Sequence, residues 1–271
     1  MGQLLSIVKT QIKKFFKIVI FFLFIISGAF LWGRGKHPSY YLNLKWGELD
    51  SQKPRFNSHS GVLIIFNSGG WGNTAFEDAE DFTKIIRGIK STINKLGWKT
   101  AIVSYGRTKD DFLGRIQGLK EILSSFNFQS KQLADQIKLF LERNPRSKVL
   151  LAGLSLGANF VGKTTERICD NPSILAIKAG TPFWKRGPQP VNILEIINET
   201  DILATGNYKV FTSAIVKGIM KWLTAKIKRR KLSFTNAINI PGHNYDWKSP
   251  RLREKVISFL ENNLKQKAGS L

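Results

Sequence analysis

Gly61-Val62-Leu63-Ile64-Ile65-Phe66 is an unbroken apolar run of strand length, the pattern of a strand covered on both faces. The chain then passes through Asn67-Ser68-Gly69-Gly70-Trp71-Gly72-Asn73, where glycines break any period, and a helix is expected near residues 76–96. Thr100–Tyr105 is the next strand candidate, followed by a polar, glycine-punctuated segment and a helix near Lys131–Arg143, with Pro145 marking its end. Val149-Leu150-Leu151-Ala152 gives a third strand and leads into a segment of helical character. Ile174–Ala179 and Val191–Ile197 follow as strands, residues 209–232 as a helix, Ala237–Ile240 as a last short strand and Pro250–Leu264 as a closing helix. Strands alternating with helices predict an α/β fold, with a mostly parallel sheet covered on both faces. No internal repeat or low-complexity tract interrupts this order.

Ahead of these elements the pattern is different. Residues 1–17 are amphipathic and basic, with Lys9, Lys13, Lys14 and Lys17 and no acid. From Phe15 to Trp32 only Lys17 and Ser27 interrupt an apolar or glycine-containing stretch, close to the lower limit of about 17 residues for a spanning helix. Residues 1–35 are therefore expected to be a basic N-terminus and transmembrane anchor, residues 36–60 a linker or entry segment, and residues 61–267 the folded domain. Lysines before the apolar run favour a cytoplasmic N-terminus, with the domain on the other side. Ser27-Gly28-Ala29 also fits a small-residue cleavage site, which would make the segment a signal peptide and the domain secreted.

Composition adds one bias. A hydrophobic share of 42% excludes a disordered chain, and 42 Lys and Arg against 19 Asp and Glu give a formal charge of +23. Such a surface favours anionic partners, either phospholipid headgroups, nucleic acid or acidic polymer, or is simply a solvated basic surface. Residues 209–232 concentrate it, with Lys217, Lys221, Lys226, Lys228, Arg229, Arg230 and Lys231 beside Val210, Ile215, Ile219, Trp222 and Leu223. Two outcomes are open for this helix: it packs its apolar side on the sheet, or it presents that side to an anionic membrane surface. Cys169 is the only cysteine, so no intrachain disulfide exists, and a structural role is expected for it.

The candidate chemistry centres on Gly153-Leu154-Ser155-Leu156-Gly157, which sits between a strand and a helix. At such a turn the central serine takes strained backbone angles, and residues two positions before and after it must be very small. That geometry presents Ser155 Oγ above the sheet and aims the Leu156 N–H at a developing oxyanion. Alone, the pentapeptide arises by chance in about one chain in ten of this size. An overlapping segment, Gly157 to Thr164, fits a phosphate-binding loop with Lys163 and Thr164 as its ligands. Against it, Phe160 and Val161 suit the buried face of a helix, and no later apolar run ends in an aspartate for magnesium. His37 and His59 lack any Cys, His or carboxylate cluster and are expected at the surface. His243 alone lies downstream of Ser155, in a loop just after the last expected strand.

With those residues in place, the stretch from about 56 to 267 resembles the α/β-hydrolase superfamily, whose triad runs Ser, then Asp or Glu, then His. The resemblance implies Ser155 as nucleophile, His243 as base and Asp201, just beyond the strand ending near Ile197, as the acid that orients the imidazole. Glu199 is the runner-up acid, and Asp246 lies too close in sequence to His243 to be preferred. It further implies an oxyanion hole made by Leu156 with Gly70 or Trp71, although Ser68 or Gly69 stands where the family usually carries a histidine. The activity expected is cleavage of a carboxylic ester or thioester by a membrane-anchored serine hydrolase with no metal or organic cofactor. An acyltransferase would use the same three residues, and a non-catalytic binding module would keep the fold alone. Expected partners are a small-molecule or lipid ester, the membrane through the N-terminal helix, and an anionic lipid surface. Nucleic acid is not expected.

Overall fold

The computed structural model describes residues 61–70, 72, 74–76, 78–108, 124–183, 192–228, 230, 240 and 242–265, all within the second of the chain's two units, residues 42–271. The expected anchor and linker lie outside the described residues, as do Trp71 and most of the expected strand Ala237–Ile240. Among the described residues no helix is long and apolar enough to cross a membrane.

Five strands, β1 (Gly61–Asn67), β2 (Lys99–Ser104), β3 (Lys148–Leu154), β4 (Ile174–Ala179) and β5 (Ile193–Ile196), form one parallel sheet in the order β2-β1-β3-β4-β5. β1 and β3 sit at its centre, which is why both read as continuous apolar runs: each is buried on two faces. On one face Val62, Ile64, Phe66, Leu150 and Ala152 pack with helix α1 (Glu80–Lys95) and the closing helix α6 (Pro250–Leu264). On the other, Leu63, Ile65, Val149 and Leu151 pack with α2 (Asn127–Arg143) and α3 (Leu156–Thr165). Two further helices, α4 (Ile202–Thr205) and α5 (Tyr208–Ile227), lie between β5 and the segment carrying His243. Parallel strands at the centre and helices on both faces are the architecture that the α/β-hydrolase resemblance implies.

The two-sided cover follows from connection handedness. The step from β1 to β2 goes one way along the sheet and the step from β2 to β3 returns past β1, so right-handed crossovers set α1 and α2 on opposite faces. Because the chain reverses there, the connections leaving β1 and β3 run to opposite sides at their carboxyl ends, where open parallel sheets hold their ligands. The loop that begins at Asn67 and the turn at Ser155 both stand at that edge.

α1 illustrates how its sequence forms the fold. Phe82, Ile85, Ile86, Ile89 and Ile93 recur at helical spacing and are all buried, while Lys84, Arg87 and Lys90 face water. Gly88 interrupts the apolar stripe for a reason: a Cβ there would stand 2.1 Å from Trp247 Cε2, so only glycine lets that indole lie flat on the helix. Trp247 thereby ties the segment after His243 to the body of the domain. The helix starts at Glu80, four residues later than the expected 76, because Phe76 N–H donates to Ser104 Oγ at the end of β2. α2 starts four residues earlier than expected, at Asn127. β5 is shorter than the expected Val191–Ile197, and α4 is an element that no sequence period announced.

Candidate active site

Ser155 has φ +56° and ψ −119°, a backbone conformation that costs a non-glycine residue about 1–3 kcal/mol. Its surroundings hold it there. Ser155 N–H donates to Ala179 O at 2.8 Å, and Ser155 O accepts from Asn159 N at 3.1 Å. A Cβ on Gly153 would lie 2.5 Å from Gly157 O, and one on Gly157 would lie 2.4 Å from Asn67 O. The first glycine lets β3 meet α3; the second lets α3 approach the end of β1. The strand, strained serine and helix expected from the pentapeptide are all present, and Leu156 occupies the first turn of α3.

The same helix rules out the phosphate-loop alternative. Gly157 to Thr164 lies wholly within α3 rather than in a loop. Thr164 is buried with its hydroxyl donating to Phe160 O, and Lys163 pairs with Glu166 on the surface. Neither side chain is available to a phosphate.

Asp201 is fully buried and works with both carboxylate oxygens. Oδ1 caps α4, accepting from Leu203 N at 2.9 Å and Ala204 N at 3.3 Å. Oδ2 faces His243 Nδ1 at 2.8 Å and accepts the Tyr245 hydroxyl at 2.7 Å. Burial by itself would raise the carboxyl's pKa; the hydrogen bond and charge of His243, then Tyr245 and the Ala204 N–H, outweigh it and hold the group below its usual range. The same carboxylate thus serves as helix cap and as the histidine's partner. Glu199 instead pairs with Arg251 in the open, and Asp246 caps a turn at Lys248 N.

The imidazole is placed by close backbone approaches. Gly242, at φ +74°, passes so near the acid's loop that a Cβ would stand 2.0 Å from Thr200 O, and Asn198 Nδ2 donates to Gly242 O at 2.9 Å. Gly180, at φ +61°, lies under the ring; a Cβ there would reach His243 Cε1 at 2.7 Å. Ala179, the residue before it, takes the Ser155 N–H. Ser155 and His243 therefore adjoin the same two-residue turn at the end of β4. The structure brings Asp201 and His243 into contact; Ser155 Oγ makes no hydrogen bond to His243.

The β1 loop packs on the elbow. A Cβ on Gly69 would meet Leu154 O at 3.4 Å and Ser155 Cβ at 3.6 Å, so it is Gly69 that touches the serine. Gly70 has φ +52° and open space around it, and its N–H, like that of Leu156, has no described acceptor. Two backbone donors thus remain on the elements flanking Ser155. Among the described residues no three His, Cys, Asp or Glu side chains converge to hold a metal. Cys169 is half-buried beyond α3, its thiol directed at Glu166 O and Asp170.

Arg107 is the residue that sequence reasoning missed. It follows β2, is 3% exposed, and its Nη2 donates to Ser68 O at 2.6 Å and Gly70 O at 3.2 Å, with Gly69 O at 3.5 Å. Its backbone N–H donates to Gly72 O at 2.7 Å, and its carbonyl accepts from Gln129 Nε2 at 2.7 Å. The guanidinium lies over the rings of Phe126 and Phe160 at 5.2 and 5.7 Å. Burial lowers its pKa to about 10, which leaves it cationic near neutral pH. One cation therefore gathers successive carbonyls of the β1 loop on the side away from water. The available signal was a lone arginine just past a strand end, next to Tyr105 and Gly106. Tyr245 was also missed, two residues beyond the histidine it helps to support.

No family model matches the chain, and no curated protein matches it in sequence. Solved structures similar to it include a Trichoderma reesei cutinase in complex with a phosphonate inhibitor, 13% identical, covering 81% of this chain and 87% of the other with a TM-score of 0.44. An alpha-beta serine hydrolase homologue from Coxiella burnetii is 17% identical over 77% of this chain and 85% of the other, with a TM-score of 0.33. An extracellular alpha/beta-hydrolase from a Paenibacillus species is 11% identical over 69% and 72%, with a TM-score of 0.28.

Proposed function

We propose that the chain is a membrane-anchored serine hydrolase that cleaves a carboxylic ester or thioester through an acyl-enzyme. The observation that carries this is the Asp201–His243 pair, seated on the turn that also receives the Ser155 N–H. With Nδ1 donating to the carboxylate, Nε2 is left as the imidazole's acceptor. Ser155 Oγ then bonds to the acyl carbon while its proton passes to Nε2, and Asp201 stabilises the imidazolium. Leu156 N–H and Gly70 N–H, or that of Trp71, receive the negative charge on the acyl oxygen. Collapse breaks the ester or thioester bond, with the His243 proton leaving on the alcohol or thiol. Water repeats the sequence on the acyl-enzyme, releases the acid and restores Ser155. An alcohol in place of water would make the same machinery an acyltransferase.

A non-catalytic module accounts for the missing Ser155–His243 hydrogen bond. It gives no reason for a buried carboxylate that three further donors hold behind its histidine, nor for the strain at Ser155. Catalytic hydrogen bonds are often loose before substrate binds. Hydrolysis of short p-nitrophenyl esters by the purified chain, lost in Ser155→Ala, tests the proposal; equal turnover by the variant refutes it. The anchor is residues 1–35, with its N-terminus cytoplasmic and the domain outside. Protease access to the domain in sealed vesicles tests this, and a soluble form beginning near Phe30 would instead establish secretion after cleavage at Ala29.

A further inference from the structure

α5 is a helix of 20 residues, about 30 Å long, and among the described elements its principal packing partner is the short helix α4 rather than a strand of the sheet. Of the side chains described on this helix, Gly218 and Ala225 are buried and Ala214 and Trp222 half-buried. Three large apolar residues stand on the outer side. Val216 is 48% exposed, Met220 58% and Ile227 83%, and their spacings of four and seven residues put them on one line along the helix. Each is followed directly by an exposed lysine, Lys217, Lys221 and Lys228, so a basic line runs parallel to the apolar one about 100° further round. A helix that packs for stability buries its apolar residues and shows its lysines; this helix shows both.

Charge selects what meets such a face. Between Asp201 and Asp246 the chain has eight basic residues and no acid, so the strip belongs to a segment without internal neutralisation. A second copy would bring the same cations against the first. Nucleic acid would satisfy the lysines and leave Val216, Met220 and Ile227 in water. The surface that takes both lines at once is a bilayer with anionic headgroups, where apolar side chains enter the acyl boundary and lysines remain at phosphate depth.

We infer that α5 docks lengthwise on an anionic phospholipid surface through Val216, Met220 and Ile227, with Lys217, Lys221 and Lys228 on the headgroups. This goes beyond the hydrolase proposal and does not depend on it. Through α4, whose cap is Asp201, the docked helix connects directly to the element that holds the candidate acid.

The test uses the full chain reconstituted on vesicles of phosphatidylcholine with or without phosphatidylglycerol. Residues 1–35 can hold the chain to both, so the readout is local: an environment-sensitive fluorophore on Met220→Cys or Ile227→Cys in a Cys169→Ser background, with exposed Lys138→Cys on α2 as reference. The expected result is a blue shift and quenching by brominated acyl chains at the two α5 positions on anionic vesicles, absent at position 138 and lost at high salt. Changing Lys217, Lys221, Lys228 and Arg230 to glutamine should lower the docked-to-undocked ratio about fivefold per charge removed. A water-like signal at Met220→Cys on anionic vesicles overturns the inference. So does equal docking on neutral lipid. A shift that grows with protein concentration in the absence of vesicles overturns it in favour of self-association.

Discussion

Replacing Arg107 with methionine separates what this residue does for the fold from what it does for the β1 loop. In the folded chain burial lowers its pKa to about 10, and at 1.36 kcal/mol per unit that fall means burying the cation costs about 3 kcal/mol. Methionine removes that cost and retains most of the apolar volume against Phe126 and Phe160. On the other side, the two shorter charge-assisted bonds, to Ser68 O and Gly70 O, are worth about 1.5–3 kcal/mol each. The two sums nearly cancel, and the Gly70 carbonyl has room to turn because nothing crowds that residue. Arg107→Met should therefore change unfolding free energy by only about 0–3 kcal/mol. The loop's position is a different matter. If the Gly70 amide serves the oxyanion, losing its alignment should lower kcat by about a hundredfold with KM nearly unchanged. Urea unfolding gives the first quantity, p-nitrophenyl ester kinetics the second, and amide exchange of Gly69 to Gly72 should quicken while β1 and β3 stay protected. A variant with native kcat and native loop exchange would refute the reasoning, as would a kcat loss explained wholly by unfolded protein.

Asp201→Asn should lower the rate strongly, by up to about ten-thousandfold where tautomer control dominates, whereas Glu199→Gln should be silent; the reverse result would show the acid to be misassigned. Tyr245→Phe removes one donor to Asp201 Oδ2 and should cost about 1 kcal/mol, read as a several-fold lower kcat and a raised apparent pKa for the carboxyl. Because the folded chain holds the Asp201 carboxyl below its ordinary value, the unfolded chain takes up that proton first as pH falls. The stability it provides is complete above the usual carboxylate range and is lost as pH drops below it through the lowered folded value. Urea unfolding between neutral and strongly acid pH should show a steeper acid loss than in Asp201→Asn; parallel curves would contradict the shift.

Strong periodic segments were legible from sequence: β4 at Ile174–Ala179 and α6 at Pro250–Leu264 stand at their expected bounds. The candidate site was legible where backbone geometry dictates residue type, as at Gly153, Ser155 and Gly157. What escaped was tertiary. Gln129 and Ser130 are buried polar residues at the start of α2, and nothing local marks Gln129 as the partner of Arg107 O, so that helix was expected to begin later. α4 owes its existence to the Asp201 cap and is too short to show a period. The support that Arg107 gives to residues 68–72 joins segments nearly forty positions apart, and Gly180 shows its need for glycine only once His243 is seen above it. Lys178, buried inside β4, finds Glu195 only through the β4–β5 register.

The most direct test of the central claim is labelling of the purified chain with a fluorophosphonate, followed by mapping of the modified peptide. The account predicts about one label per chain, attached to Ser155, and strongly slowed in His243→Ala because the base that activates the hydroxyl is gone. A chain that stays unlabelled, or one labelled equally fast without His243, would contradict it.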